Sequence, residues 1–298
     1  GEARIAIEDV ISGAAEEAPA PVAAAPERAK GRAWVWAAAA LAALVAGGAA
    51  AWMLKPAAPE PPLRKFELVV EKLQITINKF PVLSPDGRRI AYAAGDRLWI
   101  RELDQLEPRD LGVKNPDFFF WSPDSAFVAY VADGKLWKVA GGGGQPATIA
   151  VVPTLGRGTN GAWKPDGRIV IAAAIPPHGL LEVSAQGGDV AKMLEPKSGT
   201  EQDFHQASVL PDGQSILFAI DRGLGISDNI ALFSQGTRKE ILQLKGEVLH
   251  SPIYSPTGHI LYHRETTNPG IWALPFSASK LERAGEPFLV AAQGMRHS

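Results

Sequence analysis

Five polar residues recur at one place in an otherwise apolar setting: Lys79, Asp117, Thr159, His205 and His250 each stand six residues before a proline that opens a turn. An ammonium, a carboxylate, a hydroxyl and two imidazoles are enough to bind a small polar ligand. Neutral imidazole is also a common metal ligand, so His205 and His250 are candidates to hold an ion. The plainer reading is that such positions are wet and bind nothing. His259 and His263 share a strand face by alternation, but at about 13 Å apart they cannot chelate one ion.

Other chemistry is excluded residue by residue. Phosphoryl transfer needs a Gly-rich loop, a strand lysine, a catalytic-loop Asp and a metal-binding Asp-Phe-Gly, and the chain has none of these. Gly156-Arg157-Gly158-Thr159-Asn160-Gly161 fits G-x-G-x-x-G, yet a strand and a Pro165-Asp166-Gly167 turn follow it where a helix should start. Residues 141–144 are four glycines without the Lys-Ser/Thr of a phosphate loop, and no G-x-S-x-G elbow exists. Cysteine is absent, which removes disulfides, thiolate metal sites and cysteine nucleophiles. A formal net charge of −2 supplies no basic face for nucleic acid. The chain reads as a non-enzyme with no cofactor and no metal set of recognisable spacing.

The turns that position the five residues are themselves the repeat. Ser84-Pro85-Asp86-Gly87, Ser122-Pro123-Asp124-Ser125, Lys164-Pro165-Asp166-Gly167, Leu210-Pro211-Asp212-Gly213 and Ser255-Pro256-Thr257-Gly258 follow at spacings of 38, 42, 46 and 45 residues. Proline presets φ, Asp bonds its own backbone, and glycine takes the left-handed conformation that closes a hairpin. Strand-like runs come after each turn, at 90–94, 127–132, 169–174, 216–220 and 260–263, and again at 98–100, 136–139, 180–183, 230–233 and 271–274. A weaker fourth run (109–113, 147–151, 239–242, 287–290) completes four antiparallel strands in roughly 40 residues, the size of a propeller blade. Trp99 and Trp137 each lie 14 residues beyond the turn proline, and Trp121 and Trp163 two before it, which suits packing between blades. The fold expected is all-β: a β-propeller of about five four-stranded blades, with Lys79, Asp117, Thr159, His205 and His250 ringing one mouth of its channel.

The pattern of apolar strand, S-P-D-G, I-A-Y and L-W resembles the TolB-type β-propeller repeats of bacterial periplasmic proteins and of the sensor halves of membrane receptors. The resemblance covers residues 80–298. Two turns lack the leading Ser and one has Thr257 in place of Asp, which weakens those turns individually.

Ahead of the repeats, residues 33–54 carry no charge and are long enough, as a helix at about 1.5 Å per residue, to cross a membrane. Trp34, Trp36 and Trp52 stand at its ends, where indole rings favour the headgroup region. Ala43, Gly47 and Ala51 fall on one face and could let two such helices pair as a homodimer. Residues 14–32 and 55–64, rich in Ala, Pro and Glu, are linkers. Basic residues flank the span on both sides, so charge alone does not orient it.

Residues 1–13 form the end of something larger. Gly1, Glu2, Ala3, Arg4, Ile5, Ile7, Glu8 and Asp9 resemble the last helix of the catalytic lobe of bacterial eukaryotic-like serine/threonine kinases, which precedes a Pro/Ala linker and a membrane span. That resemblance implies a cytoplasmic amino terminus and a propeller (65–298) outside the bacterial inner membrane, sensing a small polar ligand or a protein partner. A membrane-bound transcriptional regulator and a free periplasmic interaction scaffold are the alternatives. The chain is expected to be cut at both ends, with residues 65–70 serving as an outer strand of a closing blade and the ring left open.

Overall fold

The computed structural model describes residues 33–53, 70, 72–74, 79–152, 159–174, 179–223 and 228–292. It divides into two units, residues 1–67 and 68–298. The segments expected as kinase tail, linkers and closing strand (1–13, 14–32, 55–64 and 65–69) lie outside the described residues.

In the first unit a single described helix, α1 (Ala33–Met53), forms over the uncharged segment. Trp34 and Trp36 are 70% and 74% exposed. Among the described residues no helix is long and apolar enough to cross a membrane. Side chains of α1 are described only from Trp34 to Gly48, short of the ~20 residues a span requires, and that of Trp52 lies beyond them. The expected span is therefore a helix in this structure and no more.

The second unit is five antiparallel sheets in sequence order. Blade one holds β1 (Val82–Leu83), β2 (Arg89–Ala94), β3 (Arg97–Glu102) and β4 (Arg109–Lys114). Blade two holds β5 (Phe118–Trp121), β6 (Phe127–Ala132), β7 (Lys135–Ala140) and β8 (Ala147–Val151). Blade three holds β9 (Asn160–Trp163), β10 (Arg168–Ala173), β11 (Gly179–Ser184) and β12 (Ala191–Leu194). Blade four holds β13 (Asp203–Val209), β14 (Ile216–Asp221), β15 (Asn229–Ser234) and β16 (Thr237–Gln243). Blade five holds β17 (Leu249–Ser255), β18 (His259–Arg264), β19 (Gly270–Ser277), the two-residue β20 (Glu282–Arg283) and β21 (Phe288–Ala292), and both of the last two pair with β19. The innermost strands meet in order, β1 with β5, β5 with β9, β9 with β13 and β13 with β17. Among the described residues no comparably extensive contact joins β17 to β1.

Four apolar clusters hold the blades together, and each lies between two neighbours. Ala91, Leu98 and Ile100 of blade one meet Phe119, Trp121 and Tyr130 of blade two. Phe118 and Phe120 meet Ile169 and Ile171, Val170 and Leu180 meet Phe204 and Phe218, and Leu217 and Leu232 meet Ile260 and Tyr262. The tryptophans take equivalent places, as their spacing requires. The Trp99 and Trp137 indoles donate to the carbonyls of Ala94 and Ala132 at 3.2 and 3.3 Å, the same bond in consecutive blades. Trp121 is buried in the first seam, and Trp163 packs on the second.

The turn motif shows why its residues recur. In blade two Ser122 Oγ donates to Asp124 Oδ1 (2.6 Å) and accepts from the Phe127 amide (2.8 Å), while Asp124 Oδ1 also accepts from the Ala126 amide (3.0 Å). Ser84, Asp86 and the amides of Arg88 and Arg89 repeat the arrangement in blade one. The serine bond, with the amide bond behind it, holds the Asp86 and Asp124 carboxyls below their ordinary pKa. Where serine is missing, another residue takes over: Lys164 Nζ reaches Asp166 at 3.1 Å, and Ser215 donates from its amide to Asp212 at 2.9 Å. In blade five Ser255 and Thr257 bond each other through their hydroxyls at 2.9 Å. The departures are thus compensated within each turn, around Pro85, Pro123, Pro165, Pro211 and Pro256. Gly87, Gly167, Gly213 and Gly258 all have positive φ, as a hairpin of this kind requires. Ser122→Ala is expected to cost about 1–2 kcal/mol in a urea melt, because it removes both the acceptor of the Phe127 amide and a donor to Asp124; a cost within 0.3 kcal/mol, roughly the measurement error, would refute the role given to the hydroxyl.

Candidate functional site

Counting back six residues from each proline places His205 and His250 level with Asp117 and Thr159. The register does not. β13 shifts against β14 between His205 and Ser208, and β17 against β18 between His250 and Ile253. Gln206 (φ 49°) and Ser251 (φ 53°) take left-handed backbone at these bulges, and the Ser251 amide donates to Gln206 Oε1 at 2.7 Å. The extra residue raises each histidine one rung. His205 pairs with Ala219 and His250 with His263, the rung that Phe118 and Asn160 occupy in blades two and three.

The five expected residues therefore do not form one ring. Thr159 is fully buried, with its hydroxyl accepting from the Ala174 amide at 3.4 Å, so it serves its own blade and not the channel. Asp117 is exposed at its residue level, yet partial burial raises its carboxyl pKa; nearby Lys79 opposes the rise and Asp133 adds to it. Lys79 Nζ donates to Gln74 at 3.4 Å. His205 and His250 do come together, their rings parallel within 6° and 6.3 Å apart.

Around the two imidazoles the structure gathers acids that spacing alone did not reveal. Asp203 and Asp221 are direct cross-strand partners on β13 and β14, and His205 lies two residues along β13 on the same face. His205 Nε2 makes an ion pair with Asp203 Oδ1 and lies 3.9 Å from Asp221 Oδ2. Asp228 accepts from the Leu249 amide at 3.3 Å, and Glu265 Oε1 reaches His250 Nε2 at 3.3 Å and His263 Nδ1 at 3.9 Å. The signal that could have exposed them is the D-x-H alternation at 203–205, which puts a carboxylate and an imidazole on one strand face.

The electrostatics set the two histidines apart. Burial pulls His205 down, but Asp203, with Asp221 and Asp228 behind it, holds its pKa above the usual value. Burial pulls His250 below its usual pKa; Glu265 opposes the fall, and the charges of His205 and His263 add to it. Burial, and then repulsion from Asp221, push Asp228 up to about 6. Buried side-chain atoms without a hydrogen-bond partner beside the histidines include Gln206 Nε2 and His250 Nδ1.

A groove of about 550 Å³ opens at the opposite, turn-bearing end, between blades three and four. Its charges are already matched. Lys164 pairs with Asp166 and Glu182 at 3.1 and 3.3 Å, and Arg168 pairs with Glu182. The unpaired polar atoms lie at the histidine end, which is the better candidate.

No protein-family model matches the sequence, and no curated protein matches it. Among solved structures the propeller resembles a putative TolB from Agrobacterium tumefaciens at 17% identity, over 66% of this chain and 76% of that one, with a TM-score of 0.53. TolB from Acinetobacter baumannii aligns at 16% identity over 65% of this chain and about half (51%) of its own, also at 0.53. An oligogalacturonate lyase in complex with manganese aligns at 16% identity over 69% and 64%, at 0.50. At such identities the likeness is one of architecture: five blades, four of them four-stranded and the last with a fifth short strand, in a TolB-like β-propeller fold.

Proposed function

We propose that the propeller is a non-enzymatic interaction module that recognises a protein partner or a polar ligand at its histidine-bearing mouth. The observation that carries this reading is the pair of buried polar atoms without a hydrogen-bond partner, Gln206 Nε2 and His250 Nδ1, contributed by the inner strands of blades four and five. A folded chain tolerates such atoms at a cost, and a bound group that supplies the missing bonds relieves it. The likeness to an oligogalacturonate lyase is one of fold alone and carries no catalytic role to this chain.

In the fuller reading the module is the outer part of a receptor-type serine/threonine kinase, tethered to the bacterial inner membrane by α1. The kinase-like run at 1–9, the Ala/Pro linker, the 22 uncharged residues and the TolB-like repeats, in that order, support it. The test places a photo-crosslinking amino acid at Glu265, on the mouth, or at Asp104, exposed on the opposite end, in cells producing the full chain. Adducts from position 265 alone, in the carbonate-washed membrane fraction, are expected, and deletion of 33–53 should release the chain from that fraction. Equal adducts from both positions would refute the mouth as the contact surface, and unchanged sedimentation would refute the tether.

A further inference from the structure

We infer that Asp203, His205 and Asp221 form a binding site for a divalent transition-metal ion. The site does not depend on what the propeller recognises. Their ligand atoms, one from each residue, all lie within 4.8 Å of one another. Donors around one ion at about 2.0–2.2 Å stand roughly 3–4.4 Å apart, so only small side-chain rotations separate this geometry from coordination.

The fold builds the triad instead of leaving it to chance. Antiparallel pairing sets Asp203 opposite Asp221, strand alternation brings His205 to the same face, and the rung opposite His205 is the small Ala219, which leaves room for the ring. The bulge at Gln206 begins directly after His205 and locks that register.

The second observation is chemical. Asp203 is 3% exposed, and apart from its ion pair with His205 Nε2 its Oδ1 has no donor among the described residues. On Asp221, Oδ1 accepts from the Gly223 amide at 2.6 Å, which fixes the carboxylate and leaves Oδ2 directed at the same space. Among the described residues no lysine or arginine serves either acid. Arg222, the nearest in sequence, is drawn away to Glu240 at 3.0 Å and Glu201 at 3.9 Å. Two carboxylates held face to face, with one imidazole as their basic neighbour and no lysine or arginine among the described residues, are a site for a cation. One imidazole and two carboxylates suit Mn²⁺ or Zn²⁺, and three protein ligands leave positions open to water or a ligand.

The experiment uses the untagged full chain, stripped with chelator and titrated calorimetrically with Mn²⁺ and with Zn²⁺, alongside Asp221→Asn, His205→Ala and His250→Ala. One equivalent of either ion should bind to the wild type and raise its melting temperature. Asp221→Asn and His205→Ala should each weaken binding at least tenfold, whereas His250→Ala should bind as the wild type does. Melting in chelator separates loss of the site from loss of the fold, and Asp221→Asn, near-isosteric and a quarter exposed, keeps the test meaningful should His205→Ala fail to fold. The proposal is overturned if neither ion binds stoichiometrically, if both altered sites retain wild-type affinity, or if His250→Ala abolishes binding as completely as they weaken it.

Discussion

Glu201→Ala should destabilise the propeller by about 3–5 kcal/mol in equilibrium denaturation, because it leaves a buried guanidinium without its counterion. The Glu201 side chain has no exposed surface. Its two oxygens accept from Arg238 Nη1 and Nη2 at 2.8 Å each, and Oε2 accepts also from the Lys197 amide at 2.7 Å. Arg238 stands on β16 and Glu201 just ahead of β13, so the fork ties the chain entering blade four to the outermost strand of that blade. Glu201→Gln retains one acceptor and should cost less. The effect carries a pH signature. Burial works against the Glu201 charge, but Arg238 and the Lys197 amide hold its pKa below the ordinary value. A depressed folded pKa contributes its stability in full above the unfolded value of about 4.3, and loses it as pH falls through the depressed one. Wild type and Glu201→Ala should therefore converge in acid. A cost below about 1 kcal/mol at neutral pH, the range of an exposed pair, would show that the fork is not structural.

Gly179→Ala should be comparably damaging, at about 3 kcal/mol or more, for two reasons that add. Gly179 has φ of 124°, where an L side chain is strained by about 1–3 kcal/mol. A Cβ there would also stand 2.1 Å from the Leu194 carbonyl oxygen and 3.2 Å from its carbon. These are backbone atoms of the β11–β12 pair, and they cannot swing aside without opening the ladder at Leu180 and Leu194, for another 1–3 kcal/mol or so. Gly167 is the control. Its φ of 84° is also left-handed, but nothing lies within 4 Å of a new Cβ, so Gly167→Ala should cost only about 1–2 kcal/mol. If urea midpoints shift equally for the two substitutions, the close approach to Leu194 is not what makes Gly179 necessary.

What could be seen in the sequence was whatever chemistry is local. The Ser-Pro-Asp-Gly turns bond within six residues, so their recurrence announced the hairpins, and the second and third strands of every blade fall within a residue or a few of where the apolar runs put them. Ala191–Leu194 escaped notice because it has no β-branched run and is held by pairing with β11. The site was half visible. His205 and His250 could be singled out by their spacing, but their partners are set by cross-strand register and by bulges, which depend on how two strands meet and not on either alone. The same limit explains Thr159, whose polarity suggested a wet channel and whose hydroxyl instead caps a neighbouring strand inside the protein.

The four apolar seams have a mechanical consequence. None of them reaches past two adjacent sheets, so among the described residues no apolar cluster is shared by every blade, and cohesion passes from neighbour to neighbour. The terminal blades are gripped from one described side only, and they can loosen while the middle three stay folded. Damage at either end is therefore contained, whereas a defect in the third blade severs the molecule into two pairs.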